Sequence, residues 1–440
     1  MKAMNPLDFV GTDRLSILLV CFCFVASLPY KKGGGMLRKS LLSALFVSLF
    51  IVSGCKISGT ISDDGTALEG ITVTLSGDMS MSATTDPEGA YAFKSLKPGN
   101  YTVTPSFAGY TFHPAQYTIT LGIEDINGFT DVDFTVASVE VPPEASPEET
   151  GPYHIGYYAT TYTIEPFGTY KAVIRYPAYS DRLRAPKDSR GAPYPGIVVS
   201  NGLYGAEWQI SWIPEHLTSH GYATICFTPP DAALFDITQW AEGFNGGISR
   251  LKSENSLNNS PVYGLVDSEK IGALGFSMSG GGCIEAAGTQ HSEIDVAVAF
   301  APAGFSSEEE TETMAAARNL TIPIQLQVGS NDGMVAPTWV RPFYETLIPG
   351  DTIKEYVEIN GGNHIGNLDE IYAEIAAWLG LDNPNTIGFE EQRRIAGKYF
   401  TAWFQYYLKG LQSYHTYIFG TEAENDFNTG ILSDLRYNVP

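Results

Sequence analysis

Residues 273–282 read Ala273-Leu274-Gly275-Phe276-Ser277-Met278-Ser279-Gly280-Gly281-Gly282. An apolar run leads into Ser277, and a stretch of small residues that is compatible with a helix follows it. The pattern predicts a buried strand, a sharp turn and a helix, with Ser277 at the tip of the turn. Small neighbours are needed there because the strand and the helix approach each other closely.

Such a unit is typical of a nucleophile elbow, which strains the backbone of a serine and exposes its hydroxyl above a sheet. The usual pattern is Gly-x-Ser-x-Gly. Here Ser279 occupies the last position, and the glycines begin one residue later. A serine adds bulk at the contact between strand and helix, and we expect the turn to tolerate it.

On both sides of the elbow, predicted strands alternate with predicted helices from about residue 151. The strands cover residues 160–163, 170–176, 196–200, 223–228, 271–276, 296–301, 322–328 and 353–359. The helices cover residues 207–220, 237–251, 278–288, 339–347, 368–379 and 389–411. This alternation predicts an α/β domain over 151–415 with a doubly wound, mostly parallel sheet. Ligands of such sheets bind beyond the carboxyl ends of the strands, and Ser277 follows one of them.

A nucleophilic serine needs a histidine to take its proton and a carboxylate to orient that histidine, and in this fold they follow in the order serine, acid, histidine. Asp332 follows the predicted strand 322–328, and His364 follows the strand 353–359. Their alternatives are a turn aspartate and a surface histidine, but the order and the strand-end positions favour a Ser277–His364–Asp332 triad. Other histidines lack such a position: His216, His220, His291 and His415.

The negative charge that develops during attack on a carbonyl needs hydrogen-bond donors. One donor is expected from the backbone N–H of Met278, directly after the nucleophile. The second is expected from residues 201–205, which follow the strand 196–200, and Leu203 is the best placed of them. Backbone donors leave no side-chain signature, so the assignment of Leu203 depends on its loop position alone.

Residues 151–415 resemble the cutinase-like polyester hydrolases, which include PET hydrolase, and more distantly the dienelactone hydrolases. The stretches that carry the resemblance are Ile213-Pro214, 219–222, 260–267, Gly275-Phe276-Ser277-Met278, 280–282, Asn331-Asp332 and 358–364. The resemblance implies an α/β-hydrolase fold and a serine carboxylester hydrolase that works through an acyl-enzyme. It also implies that the triad is Ser277, Asp332 and His364, with Leu203 and Met278 at the oxyanion.

We assign four residues to substrate binding, namely Tyr204, Trp208, Ala303 and Met334. Two of the family's aromatic positions differ here: Ala303 replaces the residue that clamps the substrate ring, and Leu203 replaces the aromatic of the oxyanion loop, next to Tyr204. The tryptophans at 208, 212 and 240 either line a cleft or are buried in the core. The positions of the family's disulfide near the acid and the base are Gly329 and Gly366.

These departures weaken an aromatic polyester such as PET as the substrate more than they weaken ester hydrolysis. Two alternatives therefore remain open. One is a hydrolase of other specificity, acting on lipid esters, acetyl esters or peptides. The other is a non-catalytic, surface-binding lipoprotein that retains the fold. The residues imply no metal and no cofactor, and they do not indicate an oligomeric state.

The N-terminal 54 residues have the pattern of a signal region. Met36 opens a short basic stretch, an apolar run covers residues 41–51, and residues 52–55 end in Cys55. This resembles the lipobox of bacterial lipoproteins and implies cleavage before Cys55, acylation of that cysteine and anchoring at the cell surface or outer membrane. The alternatives are an ordinary signal peptide or a transmembrane anchor, and the natural start is either Met1 or Met36.

Residues 56–136 show alternating runs separated by glycine, proline, aspartate and asparagine, which predict a small antiparallel β-sandwich. The stretches 59–61, 70–73, 85–93 and 96–103 resemble carboxypeptidase-regulatory-like domains, which implies a stalk or accessory domain. Residues 137–150 are rich in proline and glutamate and predict an extended linker. Residues 416–440 are assigned to a C-terminal tail. The net charge of −23 disfavours binding to nucleic acid and to anionic membranes.

Overall fold

A computed structural model describes residues 55–438 of the protein, except 64, 123–124 and 126–127. The predicted signal region, residues 1–54, lies outside the described residues. The chain divides into two compact units. The first unit extends to Val136 without Ala108–Thr111, and the second contains Ala108–Thr111 and the residues from Ala137 onward.

The first unit consists of two β-sheets. The strands with all or part of their residues in it are β1 (Cys55–Asp63), β2 (Thr66–Ala67), β3 (Thr72–Gly77), β4 (Met81–Thr84), β5 (Ala90–Leu96), β6 (Gly99–Ser106), β7 (Tyr110–His113), β8 (Tyr117–Leu121) and β9 (Phe134–Val139). One sheet has the order β2-β1-β9-β7, with β5 also paired antiparallel to β1, and the second has the order β4-β3-β6-β8. Alternate side chains are buried, as Tyr101 and Val103 of β6 illustrate. The predicted sandwich is confirmed, although β1 and β9 run parallel.

The second unit is built on one ten-stranded sheet. Its strands are β10 (His154–Ile164), β11 (Gly168–Ala178), β12 (Arg182–Leu183), β13 (Tyr194–Ser200), β14 (Ala223–Thr228), β15 (Val266–Phe276), β16 (Val296–Phe300), β17 (Ile324–Gly329), β18 (Lys354–Ile359) and β19 (Leu432–Asn438). The order is β12-β10-β11-β14-β13-β15-β16-β17-β18-β19, and the strands from β14 to β18 are parallel. The chain leaves β13 to form β14 on one side and returns to form β15 on the other, which opens a crevice at the carboxyl ends of β13 and β15.

Helices cover both faces of this sheet. They are α1 (Trp212–Ser219), α2 (Ile237–Ser256), α3 (Met278–Ala287), α4 (Glu312–Ala317), α5 (Pro337–Pro342), α6 (Glu370–Trp378), α7 (Phe389–Tyr407), α8 (Thr416–Phe419) and α9 (Thr421–Asn428). A Cβ on Gly196 would come within 2.9 Å of Leu251 in α2, and one on Gly272, on the opposite face, within 2.8 Å of Phe404 in α7. The predicted α/β-hydrolase architecture is therefore confirmed.

The predicted helix 207–220 is interrupted in the structure. Glu207–Gln209 form a single 3₁₀ turn, and α1 begins only at Trp212. The carboxylate of Asp369 accepts hydrogen bonds from the N–H groups of Ser211 and Trp212, both at 3.0 Å. These N–H groups lie at the start of a helix, where they have no partner within the helix itself, and a distant carboxylate satisfies them. The interruption thus depends on a contact between parts of the chain that are far apart in sequence.

Both ends of the predicted domain extend beyond 151–415. Within the predicted tail, α8 and α9 lead into β19, which pairs antiparallel with β18 along its length. At the other end, the predicted linker is tied to the same unit by three backbone carbonyls, which accept from Tyr414 Oη, His216 Nε2 and His220 Nε2. No helix in the described part of the chain is long and apolar enough to cross a membrane.

Candidate active site

Ser277 lies between β15 and α3 and has the strained backbone that its flanking sequence predicts. Its φ is 62° and its ψ is −120°. The glycines around it are required by close contacts, because a Cβ on Gly275 would come within 1.9 Å of the Ser279 carbonyl oxygen. A Cβ on Gly280 would likewise come within 2.8 Å of the Cα of Pro302. Strand, turn and helix are therefore packed too tightly for larger side chains at these two positions.

Ser279, the residue that departs from the usual elbow pattern, has a fully buried hydroxyl. Its Oγ accepts a hydrogen bond from the Phe276 N–H at 2.8 Å and donates to the Ser200 carbonyl at 2.5 Å. Ser200 is the last residue of β13, so this one side chain links the elbow to the neighbouring strand. The turn accommodates the extra atoms because both hydrogen-bonding capacities of the hydroxyl are used.

Three predicted residues from separate loops meet at the carboxyl ends of the strands. The Oγ of Ser277 is 3.0 Å from Nε2 of His364, and Nδ1 of His364 is 2.7 Å from Oδ2 of Asp332. A carboxylate only accepts hydrogen bonds, so the proton of the neutral imidazole lies on Nδ1 and Nε2 is free to accept from the serine hydroxyl. The side chains of Asp332 and His364 are almost completely buried, which strengthens their interaction.

The carboxylate of Asp332 is held in place by its own loop. Its Oδ1 accepts from the N–H groups of Met334 and Val335 at 3.0 and 2.7 Å, which leaves Oδ2 facing the imidazole. On the other side, the ring of Phe276 lies 4.7 Å from that of His364, centroid to centroid. The orientation of the acid and the plane of the base are thus both fixed before any substrate binds.

Asp382 was not anticipated from the sequence, although it connects the loops of the acid and the base. Its Oδ2 accepts from the N–H groups of His364 and Ile365 at 2.6 and 3.2 Å, and its Oδ1 accepts from the N–H of Gly333 at 2.8 Å. One carboxylate therefore holds the backbone on both sides of the Asp332–His364 pair. It lies in the irregular segment between α6 and α7, where no strand end or motif marks it.

Gln392 of α7 also holds the loop that carries His364. Its buried amide donates to the Asn363 carbonyl and to Asn367 Oδ1, both at 2.6 Å, and accepts from the N–H of Asn363 at 2.9 Å. A Cβ at Gly366 would come within 2.2 Å of this amide oxygen, and a Cβ at Gly329 within 2.4 Å of the Gly362 carbonyl carbon. At the two positions of the family's disulfide, this chain leaves no room for side chains and uses polar contacts instead.

The loop 201–205 reaches the nucleophile at close range. A Cβ on Gly202 would come within 2.5 Å of the Cβ of Ser277. Trp240 is buried and donates its indole N–H to the Asn201 carbonyl at 2.9 Å, so it holds this loop rather than lining a cleft. The N–H groups of Leu203 and Met278 have no hydrogen-bond partner among the described residues. They are available as donors beside Ser277.

A cleft of about 760 Å³ opens at Ser277 and His364. Of the predicted substrate contacts, Tyr204, Ala303 and Met334 line it. Trp208 lies outside the lining and packs edge-on against Tyr372, with 5.0 Å between ring centroids. The lining residues that the sequence did not indicate include Phe235, Trp339, Tyr372, Ile375, Leu379 and Leu381. None of the lining side chains is an aspartate, glutamate, lysine or arginine.

The match to known families agrees with this geometry. A family model described as PET hydrolase-like matches residues 180–439, which is more than half of the chain. The chain belongs to the PET hydrolase-like family. In this PET hydrolase-like protein, a second family model, the carboxypeptidase regulatory-like domain, matches residues 56–137. The resemblances to both families are confirmed. The match to the carboxypeptidase regulatory-like domain ends at residue 137, next to Val136, where the first structural unit ends.

The curated relatives of this PET hydrolase-like chain are named as ester hydrolases, and their sequence identity to this chain is modest. Cutinase 1 of Thermobifida cellulosilytica is 25% identical over 249 residues, which cover 56% of this chain and 80% of that protein. A cutinase of Thermobifida fusca is 25% identical over 249 residues, 56% of this chain and 70% of that protein. A bis(hydroxyethyl) terephthalate hydrolase of Streptomyces coelicolor is 27% identical over 185 residues, 41% of this chain and 53% of that protein. The chain is therefore a member of a family of ester and polyester hydrolases.

Proposed function

We propose that the protein is a serine carboxylester hydrolase with Ser277 as nucleophile, His364 as general base and acid, and Asp332 as the residue that orients the base. The observation that carries this proposal is the continuous hydrogen-bonded path from Ser277 Oγ through the imidazole of His364 to Asp332. A binding protein that merely kept the fold would need neither this path nor a strained serine above an open cleft.

In the first half of the reaction, Ser277 Oγ attacks the ester carbonyl carbon while Nε2 of His364 takes the hydroxyl proton. The buried carboxylate of Asp332 stabilises the imidazolium that forms. The carbonyl oxygen becomes an oxyanion, which the N–H groups of Leu203 and Met278 stabilise. The tetrahedral intermediate then collapses, the bond to the leaving alkoxy oxygen breaks, and His364 returns its proton to that oxygen.

In the second half, water attacks the acyl-enzyme. His364 takes a proton from the water as the new C–O bond forms, and a second tetrahedral intermediate uses the same two donors. Its collapse breaks the bond to Ser277 Oγ, which recovers its proton from His364, and the carboxylic acid leaves. All atoms and protons balance with one ester and one water consumed for each acid and alcohol released.

The substrate is proposed to be a neutral, largely apolar ester, and this includes polyesters. The cleft has no charged group to pair with an ionic substrate, and it is large enough for more than an acetyl ester. The names of the relatives, cutinase and bis(hydroxyethyl) terephthalate hydrolase, support a polyester-related substrate. Ala303 leaves the position of the family's aromatic clamp open, which favours flexible aliphatic esters over rigid aromatic ones.

The test is hydrolysis of soluble nitrophenyl esters of short and medium chain length. Ser277→Ala is expected to lower kcat by at least about a thousandfold, because the covalent step is lost. The matched control is Ser253→Ala, an exposed serine in α2, which should retain full activity. Equal activity of wild type and Ser277→Ala would exclude the proposed mechanism. Product analysis after incubation with polyester film then separates polymer hydrolysis from hydrolysis of small esters.

We also propose that Cys55 is acylated and anchors the protein at the cell surface. The signal pattern before Cys55 supports this, and it falls on residues 1–54, outside the described structure. Anchoring would keep the cleft outside the cytoplasm, where a neutral, water-insoluble ester is accessible.

A further inference from the structure

Helix α6 carries apolar residues on its outward face as well as on its inward face. Ala373 and Ala376 are buried against the body of the domain, and Tyr372 lines the cleft. Ile371 and Trp378 point away from both, with 60% and 85% of their surface exposed. A helix on the surface of a soluble domain normally presents polar residues there.

The outward stripe is continuous with the cleft. Ile371, Ile375 and Trp378 recur at intervals of four and three residues, so they share one face of α6. Ile375 also lines the cleft, which joins the outward stripe to the site of Ser277. Further exposed apolar side chains surround the opening: Tyr204, Phe235, Met334, Trp339, Leu379 and Leu381. We call these side chains and the outward stripe the apolar rim, and exposed apolar side chains grouped around a cleft are typical of interaction sites.

We propose that α6 and this apolar rim bind the surface of a water-insoluble, neutral ester and thereby bring its chains to the cleft. The proposal rests on the proposed function and names its substrate class. A single dissolved ester in the cleft would contact the cleft-lining residues Tyr372 and Ile375 but would leave Ile371 and Trp378 in water. Only an extended apolar phase reaches both faces at once.

Charge distinguishes this occupant from two others. Glu374 is exposed on α6 beside the outward stripe, whereas the exposed carboxylate of Glu370 is paired with Arg393 at 3.9 Å. Glu374 opposes binding to an anionic lipid surface, and the net charge of −23 opposes it further. A second copy of the chain carries the same exposed Glu374 and the same net negative charge, so the two copies repel each other. A neutral aliphatic polyester has no charge, so it meets neither penalty.

The first experiment measures adsorption without turnover. In the full chain carrying Ser277→Ala, binding to polycaprolactone particles is compared with and without Ile371→Ser and Trp378→Ser. The double substitution is expected to weaken adsorption at least tenfold. Its control is Leu183→Ser with Leu257→Ser, two exposed apolar residues at the far edge of the sheet and at the end of α2. Equal adsorption with and without the α6 substitutions would overturn the proposal.

The second experiment uses the active enzyme. Ile371→Ser with Trp378→Ser should leave kcat/KM for dissolved nitrophenyl butyrate within about twofold of wild type and lower the rate on polycaprolactone particles at least tenfold. Equal loss on both substrates would overturn the proposal, as would a concentration-dependent dimer in sedimentation that the substitutions abolish. If Ser277→Ala left ester hydrolysis intact, the proposed function would fail while the adsorption result still decided the role of α6.

Discussion

Asp382 is the residue on which the relative position of the acid and the base depends most directly. Its two carboxylate oxygens accept from Gly333 beside the acid and from the backbone of His364 itself. Asp382 bonds to the backbone of His364 but not to its imidazole, to Ser277 Oγ or to the Asp332 carboxylate, so it is a positioning residue. Because misplacement of a catalytic group by about 1 Å can cost about a hundredfold in rate, a small movement of either loop should be measurable.

Asp382→Ala is expected to lower kcat about 10- to 100-fold and leave KM for a soluble ester nearly unchanged, because substrate binding does not involve Asp382. The free energy of unfolding should fall by about 1–3 kcal/mol, since N–H groups in both loops lose their acceptor. Steady-state kinetics and denaturant unfolding measure the two effects. Asp351→Ala, an exposed aspartate before β18, is the control. An unchanged kcat for Asp382→Ala would show that the loops hold their positions without it.

At the scale of elements, the elbow helix α3 is tied to α4 through a buried acid. Glu285 of α3 accepts a hydrogen bond from the Thr313 hydroxyl of α4 at 2.6 Å. Burial raises the pKa of Glu285 to about 7, with further increases from Glu312 and Asp236 and an opposing contribution from Thr313. The folded protein therefore holds a proton on Glu285 at pH values where the unfolded chain has released it.

Because the folded and unfolded states hold this proton over different pH ranges, the free energy of unfolding depends on pH. Between about pH 4.5 and pH 7 the native state binds one more proton than the unfolded state, so its stability falls as the pH rises, by up to about 3 kcal/mol in total. Glu285→Gln should match wild type near pH 4.5 and be more stable above pH 7. Thermal unfolding at a series of pH values measures this, with Glu374→Gln on the exposed face of α6 as control. A constant difference between Glu285→Gln and wild type at all pH values would contradict the prediction.

At the scale of the whole molecule, the proposed acylation of Cys55 would fix the catalytic unit to a membrane surface. Cys55 begins β1 and has a free thiol in the structure. If it is the lipid attachment site, the full chain produced in a bacterium should yield a mature protein that begins with acylated Cys55 and fractionates with membranes. Cys55→Ser should remain unprocessed and lack the lipid. Mass spectrometry of the N-terminal peptide distinguishes the forms, and a mature N-terminus at another residue would refute the anchor.

Sequence alone predicted eight of the ten strands of the large sheet and identified Ser277, Asp332 and His364 as candidates for the site. The reason is physical: a parallel sheet places the ends of successive strands at one edge, so residues that follow β15, β17 and β18 must lie near one another. Hydrophobic periodicity is a local property of the sequence, so the strands and helices could be predicted from it. The β-sandwich that precedes the catalytic unit could be predicted because its strands have the same kind of local periodicity.

Tertiary structure alone decided how these residues are held and what surrounds them. Asp382, Gln392 and the hydroxyl of Ser279 act across contacts between segments that are distant in sequence, and no local pattern encodes such contacts. Sequence assigned 416–440 to a tail because it could not show that β19 pairs with β18. Likewise, the spacing of apolar residues in α6 predicted a helix. The sequence does not show which of these apolar residues are buried and which are exposed. Only the packed chain shows that Trp378 faces solvent beside an uncharged cleft.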